Sequence, residues 1–250
     1  MLKELLFSMK HGVKRLLTDN FIGIYLHGSL ALGDFNYETS DIDFLVVTEK
    51  MLSNDEFSSL EAFHSELRKE YPNFGKRLEG SYIPKDMLRE KDPPNHPRPY
   101  LNGEKFVWAE YGHEWILERY VLRNYGIILE GVSLVELIPK IESAELKRAT
   151  INLLCNYWKS MINDVKLSDA EYQVYAVLTM CRVLYTLEYG EIVSKPKAAA
   201  WTKKRLDDLF RRLIDEALVW NKKSEFNHLD ETRRFIEYVT KKFCKSNSPI

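Results

Sequence analysis

Residues 27–47, HGSLALGDFNYETSDIDFLVV, decide the fold of this 250-residue chain. The apolar, β-branched and aromatic run at residues 21–27 predicts a strand that ends in a turn and leads into a short helix. Residues 41–47 then predict a second strand. Further along the chain, residues 57–67 indicate a helix and residues 77–83 indicate a third strand. Strands that alternate with helices in this way are typical of an α/β (α+β) domain with a mixed sheet.

Asp41 and Asp43 lie two residues apart in the predicted second strand. Because side chains alternate along a strand, both carboxylates project from the same face. Two negative charges held this close repel each other unless a cation lies between them. Carboxylate oxygens that leave room for water and phosphate suit Mg²⁺. An Asp-x-Asp pair alone is weak evidence, since surface strands often show it.

Gly28 and Ser29 lie upstream, where the first strand ends and the helix begins. Glycine lets the backbone approach a ligand closely, and the free N–H groups at a helix start can hold phosphate. Ser29 adds a hydroxyl donor. Gly-Ser alone is typical of a simple strand-to-helix turn, but eleven residues later Asp41 opens the carboxylate pair. The combination predicts a phosphate cradle beside a metal site.

The rest of the chain divides into two parts. Residues 84–106 contain five prolines and many charges, which predicts a long surface loop. Helices are predicted from apolar spacing at residues 2–17, 115–124, 144–164, 170–189, 203–220 and 231–243. We therefore expect the α/β domain to span residues 1–140 and an all-α helix bundle to span residues 141–250.

Composition excludes several classes of protein. Hydrophobic residues make up 45% of the chain, which argues against global disorder. The net charge is −1, which implies no general attraction to nucleic acid or anionic membranes. No segment reaches the roughly 18 apolar residues of a membrane span. Cys155, Cys181 and Cys244 are odd in number and far apart, so we expect no disulfide and no zinc site. Cys155 and Cys181 are expected to be buried thiols. The protein is expected to be cytoplasmic.

Residues 27–47 resemble the signature of the nucleotidyltransferase superfamily related to DNA polymerase β. Within it, the chain is most similar to the aminoglycoside nucleotidyltransferases that adenylylate streptomycin and spectinomycin. Residues 178–201, LTMCRVLYTLEYGEIVSKPKAAAW, resemble a helix–turn segment of the helical domain in that group. Residues 77–84, RLEGSYIP, and residues 114–131, EWILERYVLRNYGIILEG, also have counterparts. The resemblance identifies the first domain as a nucleotidyltransferase domain.

The resemblance implies roles for three carboxylates. Asp41 and Asp43 would hold Mg²⁺ ions that bridge the triphosphate of ATP. Glu79, at the family's third carboxylate position, would share the metal site and act as the base that removes a proton from the attacking hydroxyl. Its place between apolar neighbours on the predicted third strand agrees with that role. A salt-bridged surface glutamate is the alternative.

The resemblance also implies a set of nucleotide-binding residues. Gly28, Ser29 and Ser40 match positions at the nucleotide phosphates. Arg182 and Lys195 match cationic residues of the helical domain that reach ATP across the cleft between the domains. Arginine and lysine are common in any sequence, so only the surrounding motif supports these two assignments.

The function implied is transfer of AMP from ATP to a hydroxyl of an aminoglycoside-type antibiotic, with release of pyrophosphate and resistance as the result. The expected partners are ATP and a small cationic, hydroxylated substrate, with no nucleic acid, no membrane and a monomeric chain. Tyr172 and Tyr175 occupy the region where the family has acidic substrate contacts, which leaves the antibiotic and its hydroxyl open. The alternatives are a nucleotidyltransferase that modifies a protein or RNA, and a nucleotide-binding regulator without turnover.

A few other side chains are candidates for binding. His27 precedes the phosphate cradle, but a packed histidine at a strand end is the expected reading. Trp108 and Trp115 flank the end of the predicted loop and are expected to be core aromatics, with stacking on a ligand as the alternative. Glu114 is a candidate contact for a polycation, although a solvated helix charge is the ordinary reading.

Overall fold

The structure is a computed structural model that describes residues 1–222 and 224–244. The chain divides into two compact units, Met1–Lys140 and Ile141–Ile250. Lys223 and residues 245–250, which the sequence assigns to the second domain, lie outside the described residues. In the part of the chain that is described, no helix is long and apolar enough to cross a bilayer.

The first unit is a six-stranded mixed sheet with helices. In chain order its elements are α1 Leu2–Leu17, β1 Phe21–Leu26, α2 Gly28–Leu32, β2 Ile42–Thr48, α3 Asn54–Glu70, β3 Leu78–Pro84, β4 Arg98–Asn102, β5 Phe106–Ala109, α4 Trp115–Tyr125, β6 Ile127–Gly131 and α5 Leu134–Leu137. The strand order is β5-β4-β3-β2-β1-β6. Only the β2–β3 pair is parallel; the other four pairs are antiparallel. The predicted mixed sheet is therefore confirmed.

The sheet has a core on each face. Residues of α1 and α3 pack with Phe44 on one face, and residues of α4 and α5 pack with Leu45 on the other. Each fully buried apolar side chain, such as Leu5 of α1, contributes about 1.5–3 kcal/mol to stability. Because side chains alternate along β2, Asp43 lies on the same face as Leu45. This alternation turns the carboxylate of Asp43 toward the side of the sheet that α4 covers.

Two predictions about the first unit are wrong. The predicted loop at residues 84–106 contains β4 and reaches the first residue of β5. Pro97 directly before β4 and Pro99 within it hide the short strand, since proline lowers strand propensity. The chain after this segment is predicted to be helical throughout, but Ile127–Gly131 forms the strand β6, which pairs with β1. That strand is only five residues long and directly follows α4, so it has no separate periodicity to show.

Over residues 141–222 and 224–244 the second unit is all-helical, as predicted. Its elements are α6 Ser143–Leu153, a π-helical turn Leu154–Trp158, α7 Lys159–Met161, α8 Ala170–Tyr189, α9 Lys195–Lys203, α10 Asp208–Val219 and α11 Leu229–Phe243. The predicted helix at 144–164 is interrupted by the π-helical turn. The predicted helix at 203–220 is wrong at its start, because α10 begins at Asp208 and Asp207 caps it by accepting a hydrogen bond from the Phe210 amide.

The cysteine prediction is also wrong in part. Cys155, in the π-helical turn, and Cys244, at the end of α11, form a disulfide with a Cα–Cα distance of 5.7 Å. They are 89 residues apart in sequence, so their spacing does not reveal the pair. Cys181 of α8 is a buried free thiol, as predicted, and burial raises its pKa to about 12.

Candidate active site

Gly28 lies directly against the carboxylate of Asp43. Its φ is +58°, and a Cβ atom built on it would be 1.8 Å from Asp43 Oδ2. The His27 amide donates to the Asp43 carbonyl at 3.0 Å, which ties the end of β1 to β2 at this point. Only glycine combines this backbone conformation with this close approach. The Gly-Ser turn and the Asp-x-Asp pair are therefore adjacent in space.

Asp43 and Glu79 are direct partners across two neighbouring strands. In the parallel β2–β3 pair Asp43 is opposite Glu79, and Ile42 is opposite Leu78. Residues opposite each other in neighbouring strands project from the same face, so the two carboxylates lie side by side. Asp41 is exposed and comes one residue before β2. The structure thus brings together Asp43 and Glu79. Asp41 lies directly before the first residue of β2.

Glu79 lies in an environment suited to a base. Tyr100 Oη, from β4, donates a short hydrogen bond to Glu79 Oε1. Burial raises the pKa of the Glu79 carboxyl, the bond from Tyr100 lowers it, and the charges of Asp43 and Asp41 raise it again; the net shift is upward. A carboxylate whose pKa is raised holds a proton more strongly than an ordinary glutamate.

Ser40 belongs to a loop that Arg77 holds from the side. Arg77 Nε donates to the Ser40 carbonyl at 2.8 Å, and Arg77 Nη1 donates to the Tyr37 carbonyl at 2.8 Å. Ser40 Oγ accepts a hydrogen bond of 2.9 Å from the Asn36 amide. The loop that leads from α2 to Asp41 is therefore restrained by an arginine two residues before Glu79.

A pocket of about 60 Å³ opens beside these carboxylates. Its polar lining residues are His27, Asp43, Glu79, Ser81, Arg98, Tyr100, Glu118 and Arg119. Of these, the sequence interpretation missed Ser81, Arg98, Tyr100, Glu118 and Arg119 as site residues. For Arg98 and Tyr100 the signal was masked because both lie in the predicted loop. For Glu118 a signal existed, since it shares a helix stripe with Trp115 and Leu122.

His27 and Trp115 behave as packed side chains, whereas Trp108 does not. Burial lowers the pKa of His27, against the effects of the Asp43 charge and of a hydrogen bond with the Phe44 main chain. Trp115 is 3% exposed and donates to the Glu90 carbonyl at 3.1 Å, which confirms it as a core aromatic. Trp108 is 41% exposed, so its prediction as a core aromatic is wrong; it stacks on Phe57 at the surface, with 5.1 Å between ring centroids and 8° between ring planes.

The carboxylates suit a metal that is shared with a substrate. Across residues 1–222 and 224–244, no three His, Cys, Asp or Glu side chains converge closely enough to hold one ion. Mg²⁺ usually takes one or two carboxylates and fills its remaining positions with water and phosphate oxygens. Asp43, pressed against the Gly28 backbone, and the exposed Asp41 fit such a site. The participation of Glu79 as a metal ligand stays a prediction.

The predicted cations of the helical domain lie in the second unit. Arg182 is part of α8, and Lys195 is the first residue of α9. Lys195 Nζ lies 4.4 Å from the centroid of the Tyr175 ring, a cation–π contact. Tyr172, which lies in α8 with Tyr175, shares a hydrogen bond with Tyr157, at 2.6 Å between the two hydroxyl oxygens. Nucleotide binding by Arg182 and Lys195 stays a prediction.

Family comparison agrees with this arrangement. Residues 9–92 match the nucleotidyltransferase domain, which includes the Gly-Ser turn and all three carboxylates. Residues 136–246 match the C-terminal domain of aminoglycoside adenylyltransferases. The two parts of the chain are thus similar to a nucleotidyltransferase domain and to the C-terminal domain of aminoglycoside adenylyltransferases. Both matched domains lie in the order that the sequence predicts.

Individual spectinomycin adenylyltransferases are similar to the chain along most of their length. A spectinomycin 9-adenylyltransferase of Campylobacter jejuni is 28% identical over 239 residues, which cover 90% of this chain and 89% of that protein. A second, of Enterococcus faecalis, is 24% identical over 214 residues, covering 77% and 76%. The solved structure of an enterococcal spectinomycin adenyltransferase with ATP and spectinomycin has a TM-score of 0.74 at 20% identity. It covers 97% of this chain and 99% of its own, and it shares the fold.

Proposed function

We propose that this protein transfers AMP from ATP to a hydroxyl of an aminoglycoside-type antibiotic, spectinomycin and/or streptomycin, and releases pyrophosphate. The observation that carries the proposal is the alignment of Asp43 with Glu79 across β2 and β3, beside the Gly28 turn. The match to the C-terminal domain of aminoglycoside adenylyltransferases and the names of two similar proteins support the antibiotic as acceptor. Modification of the drug would confer resistance.

The residues divide the chemistry between them. The acceptor hydroxyl attacks the α-phosphorus of ATP in line with the leaving pyrophosphate, and Glu79 takes the hydroxyl proton. The bond from Tyr100 orients the Glu79 carboxylate, and its raised pKa makes it a better proton acceptor. Asp41 and Asp43 would hold Mg²⁺. When bound, Mg²⁺ supplies positive charge at the phosphate oxygens, where negative charge develops.

The phosphate contacts are assigned to five residues. Gly28 and Ser29 present the first amides of α2, which have no partner within the helix. Ser40 lies in the restrained loop that ends at Asp41. Arg182 and Lys195 would neutralise phosphate charge as point cations. We further propose that the enzyme acts as a cytoplasmic monomer, without nucleic acid.

A pyrophosphate-release assay tests the proposed function. The full chain is incubated with ATP, Mg²⁺ and a panel that contains spectinomycin and streptomycin. We expect release that depends on one or both antibiotics. Asp43→Asn and Glu79→Gln should each lower kcat/KM by roughly 100-fold or more, since each removes a group required in the transition state. The melting temperature should change little, because both side chains face the pocket.

The matched control is Asp92→Asn, which removes an exposed carboxylate of the same unit. It should leave kcat/KM unchanged. Near-full activity in Asp43→Asn would overturn the metal assignment. Release that requires a protein or RNA would replace the antibiotic by a macromolecular target, and ATP binding without release would identify a regulator.

A further inference from the structure

Helix α4 carries an acidic residue in its inward-facing stripe. Trp115, Glu118, Arg119 and Leu122 follow the i, i+3, i+4, i+7 spacing of one helix face, and all four line the pocket beside the catalytic carboxylates. The other three are buried in the unit. A position in such a stripe is ordinarily apolar, so a glutamate there is an exception that needs a partner.

The pocket surrounds the Glu118 carboxyl with more negative than positive charge. The pKa of the Glu118 carboxyl is raised to about 7 as the net effect of burial and Glu114, which raise it, Arg98, which lowers it, and Asp43 and Glu79, which raise it. The causes of this shift are burial and charges, with no hydrogen bond to the Glu118 carboxyl among them. A half-buried carboxylate among like charges costs free energy until a cation approaches it.

Arg98 is committed to other groups. Its Nε donates to Ser81 Oγ at 2.7 Å, and its Nη1 donates to the Glu110 carbonyl at 2.6 Å. Its guanidinium also lies 4.6 Å from the centroid of the Tyr111 ring. This cation is therefore fixed at one wall, and the carboxyl of Glu118 remains available to a ligand.

The size of the pocket limits what can enter. A volume of about 60 Å³ has room for a few water-sized groups. A substituent such as an ammonium group fits it, whereas a whole sugar ring does not. A cationic substituent is also the one that the charge of the pocket favours.

We propose that Glu118 is a specificity-determining residue that binds a protonated amino group of the acceptor beside the catalytic base Glu79. The proposal rests on the proposed function and deepens it. An ammonium held by Glu118 anchors the acceptor ring at the mouth of the pocket, so that a neighbouring hydroxyl lies next to Glu79.

The test compares wild type with Glu118→Gln, which keeps the side-chain volume and removes the charge. With spectinomycin as acceptor, we expect the KM for spectinomycin to rise roughly 10- to 100-fold, the range for loss of a charged hydrogen bond. The KM for ATP should stay within about twofold. Glu118→Asp retains the charge at a shorter reach and should lie between the two. Glu110→Gln, which removes an exposed carboxylate nearby, is the matched control and should resemble wild type.

A second acceptor makes the test specific to charge. Acetylation of the amino groups of spectinomycin removes their positive charge. Wild type should bind the acetylated drug much more weakly than spectinomycin in calorimetry, whereas Glu118→Gln should distinguish the two far less. A purely structural Glu118 predicts the same preference in both proteins, and that result would overturn the inference.

The two proposals fail in different ways. If wild type releases no pyrophosphate with either antibiotic, the proposed function fails. If wild type turns over spectinomycin while Glu118→Gln keeps the KM of wild type, only the role of Glu118 fails. Thermal melting of each variant checks folding, and removal of a charge that burial disfavours should not lower the melting temperature.

Discussion

His64 shows how burial changes the acid–base behaviour of a single residue. It lies in α3 with 3% exposure, and its Nε2 is 2.7 Å from Tyr82 Oη. Burial lowers the pKa of His64 to about 3, and the positive charge of Arg68 lowers it as well. The folded protein thus keeps this ring neutral at a pH where the unfolded chain protonates it.

The sign of the resulting pH dependence follows. Between pH 6.5 and about 3 the unfolded state binds more protons at His64, so acid lowers the free energy of unfolding by about 1.4 kcal/mol per pH unit. His64→Gln does not titrate and keeps a polar group near Tyr82. From pH 6.5 to 5, urea denaturation should show wild type losing about 2 kcal/mol more than His64→Gln. The exposed control His11→Gln should follow wild type, and equal losses in all three proteins would refute the assignment.

At the scale of elements, the loop between α2 and β2 depends on Arg77. The arginine lies in the turn before β3 and bonds the carbonyls of Tyr37 and Ser40. Its guanidinium also lies 5.2 Å from the centroid of the Phe74 ring. One side chain of the third-strand region therefore fixes the segment that presents Asp41.

Arg77→Met should loosen this loop without unfolding the unit. The loss of charged hydrogen bonds to the main chain should lower kcat/KM in the pyrophosphate assay by roughly tenfold, which corresponds to about 1.4 kcal/mol. Arg68→Met is the matched control, because Arg68 also donates to main-chain carbonyls, those of Gly103 and Glu104, away from the loop. Equal losses of activity in the two variants would show that Arg77 has no special role in positioning.

Strand β4 also positions side chains of the candidate site. It pairs with β3 so that Glu79 is opposite Asn102 and Ser81 is opposite Tyr100. This register places the Tyr100 hydroxyl at Glu79 and the Arg98 guanidinium at Ser81. A segment that composition predicts to be a loop thus supplies two walls of the pocket.

At the scale of the whole molecule, one covalent link constrains the helical unit. The Cys155–Cys244 disulfide joins the π-helical turn to the end of α11 and closes a loop of 89 residues. A cross-link across a loop of this length restricts the unfolded chain, and the stabilisation typical of disulfides is about 2–4 kcal/mol.

Reduction should therefore destabilise the second unit. Wild type treated with dithiothreitol should lose about 2–4 kcal/mol of unfolding free energy in urea. Cys155→Ser should have the lower stability with or without reductant. Under denaturing conditions, thiol titration should count one free thiol in the oxidised protein and three after reduction. A count of three before reduction would show that the link does not form.

The sequence by itself determined the β1–α2–β2 segment, the Asp41 and Asp43 pair and the resemblance to aminoglycoside nucleotidyltransferases. These features are local, because a strand, a glycine turn and a two-residue spacing are expressed within about twenty consecutive residues. Glu79 was also found from sequence, since it stands in a short apolar strand with a recognisable motif. The helical character of the second unit followed from its apolar periodicity in the same way.

Only the tertiary structure decided what surrounds these residues. Tyr100, Arg98 and Glu118 come from a hidden strand and from a later helix, and they meet Glu79 because of the strand order and register of the sheet. The disulfide partners were hidden for the same reason. Contacts between residues that are distant in sequence depend on how elements pack, and no local pattern of residues encodes that packing.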